Sequence, residues 1–355
     1  MIKSIITGTG KFIPKNITKN SDFNKHQFYS AEHEIIEGSN EEIAKKFQAI
    51  TGIRERRYVD QAMISSDIAY MASKEAIEDS GIDPETLDQI IFAHNFGDIP
   101  SETIQTDILP ALAARVKHRL EIKNPYCVAY DIIFGCPGWV QGLIQADSFI
   151  KSGQAKKVLV IGAETLSRVL DKYDRDSMIF SDGAGACILE YSDSNKDEGI
   201  LSSAAMTHSM QEAYYLYMDK SNFPGSDPTK RFIKMKGRKV YEYALRNVPL
   251  AMKMALDKTG VDINEIKKIF IHQANEKLDT EVVNRFYKQY QMTPPEHIMP
   301  MSVHELGNSS VATVPTLFDR VRKGEMPEHQ LEKGNVIIFA SVGAGMNINA
   351  VIYRI

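Results

Sequence analysis

Apolar residues along this chain recur in two rhythms. Short, nearly unbroken runs predict strands: Met1 to Thr9, running into the glycines of Ser4-Ile-Ile-Thr-Gly-Thr-Gly10; Leu87 to Ala93; and Lys157-Val-Leu-Val-Ile-Gly-Ala-Glu164, whose continuity predicts burial on both faces. Between them, apolar positions fall at helical spacing. These stretches are Ala44 to Ile50; Ser66 to Ser80, with Ser66 as N-cap and Gly81 as stop; and Ile104 to Leu120, interrupted by Pro110. A β-rich run from Pro125 to Ile133 ends at Gly135, and an amphipathic helix, Val140 to Ile150, follows Pro137. Strands alternating with helices predict an α/β architecture.

The polar segment Tyr191-Ser-Asp-Ser-Asn-Lys-Asp-Glu-Gly199 reads as a boundary, and beyond it the pattern starts again. Gly81-Ile-Asp with Leu87 and Ile90-Ile-Phe-Ala-His94 is echoed by Gly260-Val-Asp with Ile266 and Ile269-Phe-Ile-His272, each behind an amphipathic helix. Ser181-Asp-Gly-Ala-Gly185 is echoed by Ser341-Val-Gly-Ala-Gly345. Two echoes in one order indicate an internal duplication, with an N-terminal half over residues 1–190 and a C-terminal half over residues 191–355.

Composition narrows the function classes. A chain of 355 residues, 43% hydrophobic, is long enough to bury a substantial core. A net charge of −4 supplies no overall drive towards nucleic acid or anionic membrane, although it leaves room for a local basic patch. The clustered Arg54, Arg56 and Arg57 read as a solvated or salt-bridged edge, with an anion site as the alternative. Three cysteines without framework spacing, and no secretory leader, set the expectation of a cytoplasmic protein. No apolar run approaches the roughly 20 residues of a membrane span, and the scattered histidines lack metal-ligand spacing.

Chemistry concentrates at strand ends, where two halves would meet. Cys136 stands at a helix mouth, where free backbone N–H groups and the helix dipole favour the thiolate; Pro137 suits the first helical turn. The competing reading is a small buried hydrophobe, which is how Cys127 and Cys187 read in their apolar runs. His272 ends an apolar strand and is either functional or a structural hydrogen-bonder. Asn308, between Gly307 and Ser309, is either functional or a turn former. Together with the glycine-rich loop 341–345, these groups are the parts needed for acyl transfer through a thioester.

Phe134-Gly-Cys-Pro-Gly, His272-Gln-Ala-Asn275, Gly307-Asn-Ser-Ser310, Thr51-Gly-Ile-Arg-Glu-Arg56, Ser181-Asp-Gly-Ala-Gly185 and Gly343-Ala-Gly345 together resemble the β-ketoacyl-acyl-carrier-protein synthase III branch of the thiolase superfamily, from Ile2 to Ile355. The resemblance implies a five-layered α-β-α-β-α fold, a homodimer, and no cofactor beyond acyl-coenzyme A or acyl-carrier-protein thioester substrates. It makes Cys136 the acyl acceptor, and His272 and Asn308 the pair that binds the malonyl thioester carbonyl. The backbone N–H groups of Cys136 and Ala344 would form the oxyanion site, with Ala344 standing where the family more often has glycine. Arg175, Asn275, Lys277, Arg238 and Lys239 would contact substrate or carrier. Lys46 and Ile50 stand where better-studied members clasp coenzyme A between a tryptophan and an arginine, so that aromatic clasp does not carry over. The region Asn95 to Lys123 is longer than in the housekeeping enzyme. It points to a specialised role, such as joining β-ketoacyl chains in the manner of dialkylresorcinol synthesis; a separate second reading keeps Cys136 acylation but passes the acyl group on without decarboxylation. A non-catalytic partner subunit is the third reading.

Overall fold

A computed structural model describes residues 2–194 and 197–355; Met1 of the first predicted strand, and Asn195 and Lys196 of the predicted boundary segment, lie outside the described residues. The first part of the chain forms β1 (Lys3–Phe12), β2 (Asn16–Lys19), α1 (Asn40–Thr51), β3 (Glu55–Tyr58), α2 (Ser65–Ser80), β4 (Gln89–Ala93), α3 (Leu112–Arg119), β5 (Val128–Ile132), α4 (Gly138–Lys151), β6 (Lys157–Thr165) and β7 (Asp182–Ser192). The second forms β8 (Gly199–Thr207), β9 (Leu216–Asp219), β10 (Phe232–Met235), α5 (Gly237–Asp257), β11 (Ile266–Ile271), α6 (Glu276–Lys288), α7 (Val303–Leu306), α8 (Thr313–Arg322), β12 (Val336–Gly343) and β13 (Asn347–Arg354).

Two mixed sheets carry the architecture, in the orders β1-β7-β6-β4-β5 and β8-β13-β12-β11. In each, a first strand pairs antiparallel with the last, the last pairs antiparallel with the one before it, and that one runs parallel to its next neighbour. Strand β5 extends the first sheet alone. The echo read around Gly81 and Gly260 is the same local structure twice. A helix ends, at Gly81 itself in the first copy and three residues before Gly260 in the second; the glycine takes φ of +69° or +70°, a short 3-10 turn follows, and a buried strand begins. The second echo is displaced: Ser181 to Gly185 leads into β7, whereas Ser341 to Gly345 ends β12 and makes its turn.

Alternation along the strands builds the layers, because successive side chains point to opposite faces. Ile90 and Phe92 of β4 join α2 and α3 in one outer core, while Ile91 faces the middle. Ile338 and Ala340 of β12 join α5 and α6 in the other outer core, while Ile337 and Phe339 face the middle. Helices α4 and α8 fill that middle layer, giving the order α-β-α-β-α. The lone tryptophan, Trp139, fastens α4 to both sheets. It is 1% exposed, its indole N–H donates to the Val160 carbonyl of β6 (3.3 Å), and its ring meets Phe339 of β12 edge-on.

Three local expectations are corrected. Ile64, not Ser66, caps α2; the Asp67 carboxylate accepts the Ile64 N–H and the Ser66 hydroxyl is drawn to Asp98 (2.6 Å). The helix expected over Ile104 to Leu120 begins only at Leu112, beyond Pro110, because the Asp131 carboxylate of β5 accepts the Leu112 and Ala113 N–H groups (both 2.7 Å) and fixes the start there. Pro137 takes the N-cap of α4 rather than its first turn. Among the described residues, no helix is long and apolar enough to cross a membrane.

Candidate active site

Cys136 follows β5, Asn95 follows β4, and Glu164 is the last residue but one of β6: three neighbouring parallel strands deliver them to one edge. From the second sheet, His272 follows β11, and the loop after β12 arrives beside it. Carboxyl ends of parallel strands are where open α/β sheets bind ligands, and here two such ends face one another.

The elbow at Cys136 depends on a close backbone approach. Gly135 has φ of +68°, and a Cβ there would lie 2.6 Å from the Ala344 nitrogen. A Cβ on Gly343 would lie 2.4 Å from the Cys136 nitrogen. Only glycines let the two loops close in this way, and the consequence is that the backbone of the Cys136 loop packs directly against that of the Ala344 loop. Burial pushes the Cys136 thiol up to about 11, with the Glu164 carboxylate acting in the same direction and the Ser310 hydroxyl, 3.4 Å from the sulfur, acting against both. Desolvation by the surrounding wall therefore works against the thiolate that the helix mouth favours.

His272 is 6% exposed and anchored by its backbone N–H on Ala340. Burial lowers its pKa to about 4, so the imidazole is neutral; Nδ1 has no partner among the described residues. The other motif residues build its seat. Gln273 donates to the Pro300 carbonyl (2.7 Å) and accepts from Ser302 N–H (2.8 Å), and Asn275 caps α6 by accepting from Leu278 N–H (3.1 Å).

Asn308 is 4% exposed on a loop bridged to Phe180, with its N–H on Ile179 and its carbonyl accepting from Ser181. Its Oδ1 accepts the Ser310 N–H at 2.8 Å. That bond consumes the acceptor end of the amide and leaves the Nδ2 end as a donor. The loop is backed by Arg56, which is fully buried and donates to the carbonyls of Met178 and Thr18 and to Asn20 Oδ1. Arg56 is therefore a clamp inside the protein, not part of a solvated edge; Arg57 pairs with Glu55 (2.7 Å) and Arg54 is exposed.

Cys136, His272 and Asn308 line one cavity of about 480 Å³. Lys46, Ile50, Arg175, Asn275 and Arg238 line the same cavity. Arg238 is held by Glu242 (2.8 Å), while Lys239 and Lys277 lie on the surface outside the lining. A second, more apolar cavity of about 360 Å³ reaches Cys136 from another side, between Phe96, Leu166, Phe180 and Met218, with Ala344 and Ser310 also in its wall. Sequence reasoning passed over Ser310, Asn95 and Glu164. The signal for Glu164 was a carboxylate ending a strand otherwise read as apolar on both faces. Among the described residues, no group of three or more His, Cys, Asp or Glu side chains is disposed to hold a metal.

Comparison with known proteins agrees with this geometry. Residues 130–209 match the family described as 3-oxoacyl-[acyl-carrier-protein (ACP)] synthase III, and residues 256–355 match its C-terminal domain. The chain is 32% identical over 357 residues to the β-ketoacyl-[acyl-carrier-protein] synthase III of Erythrobacter litoralis, covering 100% of both. It is similar in structure to 3-oxoacyl-[acyl-carrier-protein] synthase III from Aquifex aeolicus (TM-score 0.79, 30% identity, 99% of this chain and 100% of that one). It is also similar to the priming β-ketosynthase of the R1128 polyketide pathway (TM-score 0.80, 25% identity, 99% and 96%). Twin sheets around a shared helical layer, full-length identity and matched motifs converge: the chain belongs to the 3-oxoacyl-[acyl-carrier-protein] synthase III family of thiolase-fold condensing acyltransferases.

Proposed function

We propose that Cys136 accepts an acyl group from a thioester and that His272 and Asn308 then drive decarboxylative condensation with a malonyl-type thioester. The observation that carries this is the pinned Asn308 amide, whose Nδ2 is left to donate into the cavity shared with Cys136 and His272. In the first step the sulfur attacks the donor carbonyl, the Cys136 and Ala344 N–H groups hold the oxyanion, and the donor thiol leaves with the cysteine proton. In the second, the malonyl carboxylate departs as carbon dioxide. Its bonding pair becomes an enolate whose oxygen receives hydrogen bonds from the neutral His272 and Asn308. The α-carbon attacks the acyl carbonyl, and the Cys136 thiolate is expelled.

Arg175, Arg238 and Asn275 line the cavity, and exposed Lys239 and Lys277 extend a basic surface suited to an acidic carrier or a nucleotide phosphate. Ile50, at the wall, offers no aromatic face to an adenine, which favours a carrier-borne donor. A second copy of the chain would cover the edge strand β5 and the exposed Leu109, Tyr126, Val128 and Ile133 beside it. The division into functional halves at residues 190 and 191, a cytoplasmic location and catalysis without a cofactor belong to the same proposal. The apolar second cavity favours a primer longer than acetyl and, with it, specialised metabolism as the pathway.

Intact-mass spectrometry after mixing with acetyl, medium-chain and β-ketoacyl donors tests the acyl-acceptor role. An adduct that disappears in Cys136→Ala is expected, and an unmodified Cys136 across all three donors would overturn it. Release of carbon dioxide alongside product separates condensation from simple acyl transfer.

A further inference from the structure

Behind the nucleophile stands a connected set of polar groups that the steps above do not use. Glu164 is fully buried at the end of β6. Its Oε1 accepts from both the Asn95 backbone N–H (2.5 Å) and Asn95 Nδ2 (2.8 Å). Asn95 Nδ2 also donates to the Ser310 hydroxyl oxygen (3.2 Å), and that hydroxyl donates to Cys136 Sγ (3.4 Å).

We propose that Glu164 and Asn95 are positioning residues of the reaction, aiming the Ser310 hydroxyl at Cys136 so that it donates to the sulfur as negative charge develops there. This rests on the assignment of Cys136 as the acyl acceptor. A serine hydroxyl rotates freely unless its lone pairs are engaged. Here one is occupied by Asn95, and Asn95 is itself held at two points by a single carboxylate oxygen, so the O–H is left to face the sulfur. The set is costly to maintain. Ser310 has φ of +54°, a left-handed conformation that non-glycine residues adopt rarely and chiefly at functional sites. Glu164 Oε2 is buried without a partner among the described residues, an arrangement that a purely structural residue avoids.

The titratable groups facing this set are His94 beyond β4, Asp182 at the start of β7 and Cys136 itself. Burial raises the Glu164 carboxyl to about 7. The Ser310 hydroxyl is the larger of two influences that hold the Cys136 thiol down, the other being the Cys136 backbone.

The test is the rate of Cys136 alkylation by iodoacetamide, mapped by mass spectrometry, with acylation of the same sulfur measured in parallel. Asn95→Ala and Ser310→Ala are each expected to slow both reactions about 10-fold or more, the scale of a hydrogen bond to a charged group. Because the two act in series, the double variant is expected to be no slower than the slower single one. Glu164→Leu is expected to slow both reactions by less than Asn95→Ala, because the carboxylate that opposes the thiolate is lost with the hydrogen bonds, and Glu164→Gln, which keeps an acceptor at Oε1 without that charge, to react at least as fast as the wild type. Multiplying losses in the double variant, or Asn95→Ala and Ser310→Ala alkylated at the wild-type rate, would overturn the proposal. If Glu164→Leu does not fold, the Asn95 and Ser310 cycle decides alone. A wild-type Cys136 that alkylates but takes no acyl group sinks the acyl-acceptor role, and the alkylation cycle still decides the positioning role.

Discussion

Replacing Asn308 by Asp separates the two half-reactions at one atom. Oδ1 of the new side chain still accepts the Ser310 N–H, so the loop and the Ser310 hydroxyl keep their places. The other end changes from an N–H donor to an oxygen. Loss of one preorganised donor to a developing oxyanion costs roughly 10²–10³ in rate, or about 3–4 kcal/mol. A carboxylate facing an enolate adds repulsion, so condensation is expected to fall at least that far at pH 8. Acylation of Cys136, which in the proposed mechanism uses the backbone N–H groups of Cys136 and Ala344 instead, is expected to stay within about threefold, roughly half a kcal/mol. At 4% exposure the new carboxyl resists ionisation, and its protonated form is again a donor. Condensation should therefore partly recover as pH falls from 8 towards 6. Stopped-flow release of carbon dioxide and single-turnover acylation, read by mass, measure the two steps separately. Wild-type condensation at pH 8, or acylation lost in proportion to condensation, would refute the division of labour between the two donor pairs.

Other outcomes follow from the same geometry. Trp139→Ala should lower stability by about 3–5 kcal/mol in urea unfolding, since it removes a fully buried ring that joins both sheets through α4. Gly135→Ala should depress acylation far more than fold stability alone explains, because φ of +68° and the 2.6 Å approach place the new methyl against the Ala344 nitrogen, one of the two proposed oxyanion donors; acylation kinetics beside a melting curve check this. With its thiol at about 11, Cys136 in the free enzyme should alkylate ever faster from pH 7 to 10 without a plateau; a plateau at neutral pH would restore the resting thiolate. His272, ordinarily near 6.5, is held at about 4 in the fold, so it contributes stability above pH 6.5 that is lost as pH falls through 4. His272→Gln should flatten that stretch of a pH-dependent unfolding series by up to about 3 kcal/mol.

Much of the fold was legible before any coordinates, for local reasons. Lys157 to Glu164 is a strand because a short continuous apolar run fits only a doubly buried one, and Gly81 ends a helix because glycine accepts φ of +69°. The Gly81 and Gly260 echoes exposed the repeated half through the same local grammar. The boundaries that failed were set from far away: Leu112 begins α3 because Asp131 caps it, and Ser66 turns to Asp98 rather than to its own helix.

The amino-acid sequence by itself determined which groups could do chemistry. A thiol before a proline-capped helix, a histidine and an amide at element ends, and glycines wherever backbone must approach backbone all depend on residue type and near neighbours. Tertiary packing alone decided the state of those groups. The wall around Cys136 pushes its thiol up, enclosure makes His272 neutral, and a bond to Ser310 turns the Asn308 amide so that its donor end is free. Protonation and hydrogen-bond direction follow from solvent exclusion and from partners far along the chain, and these exist only once the two sheets have closed on α4 and α8.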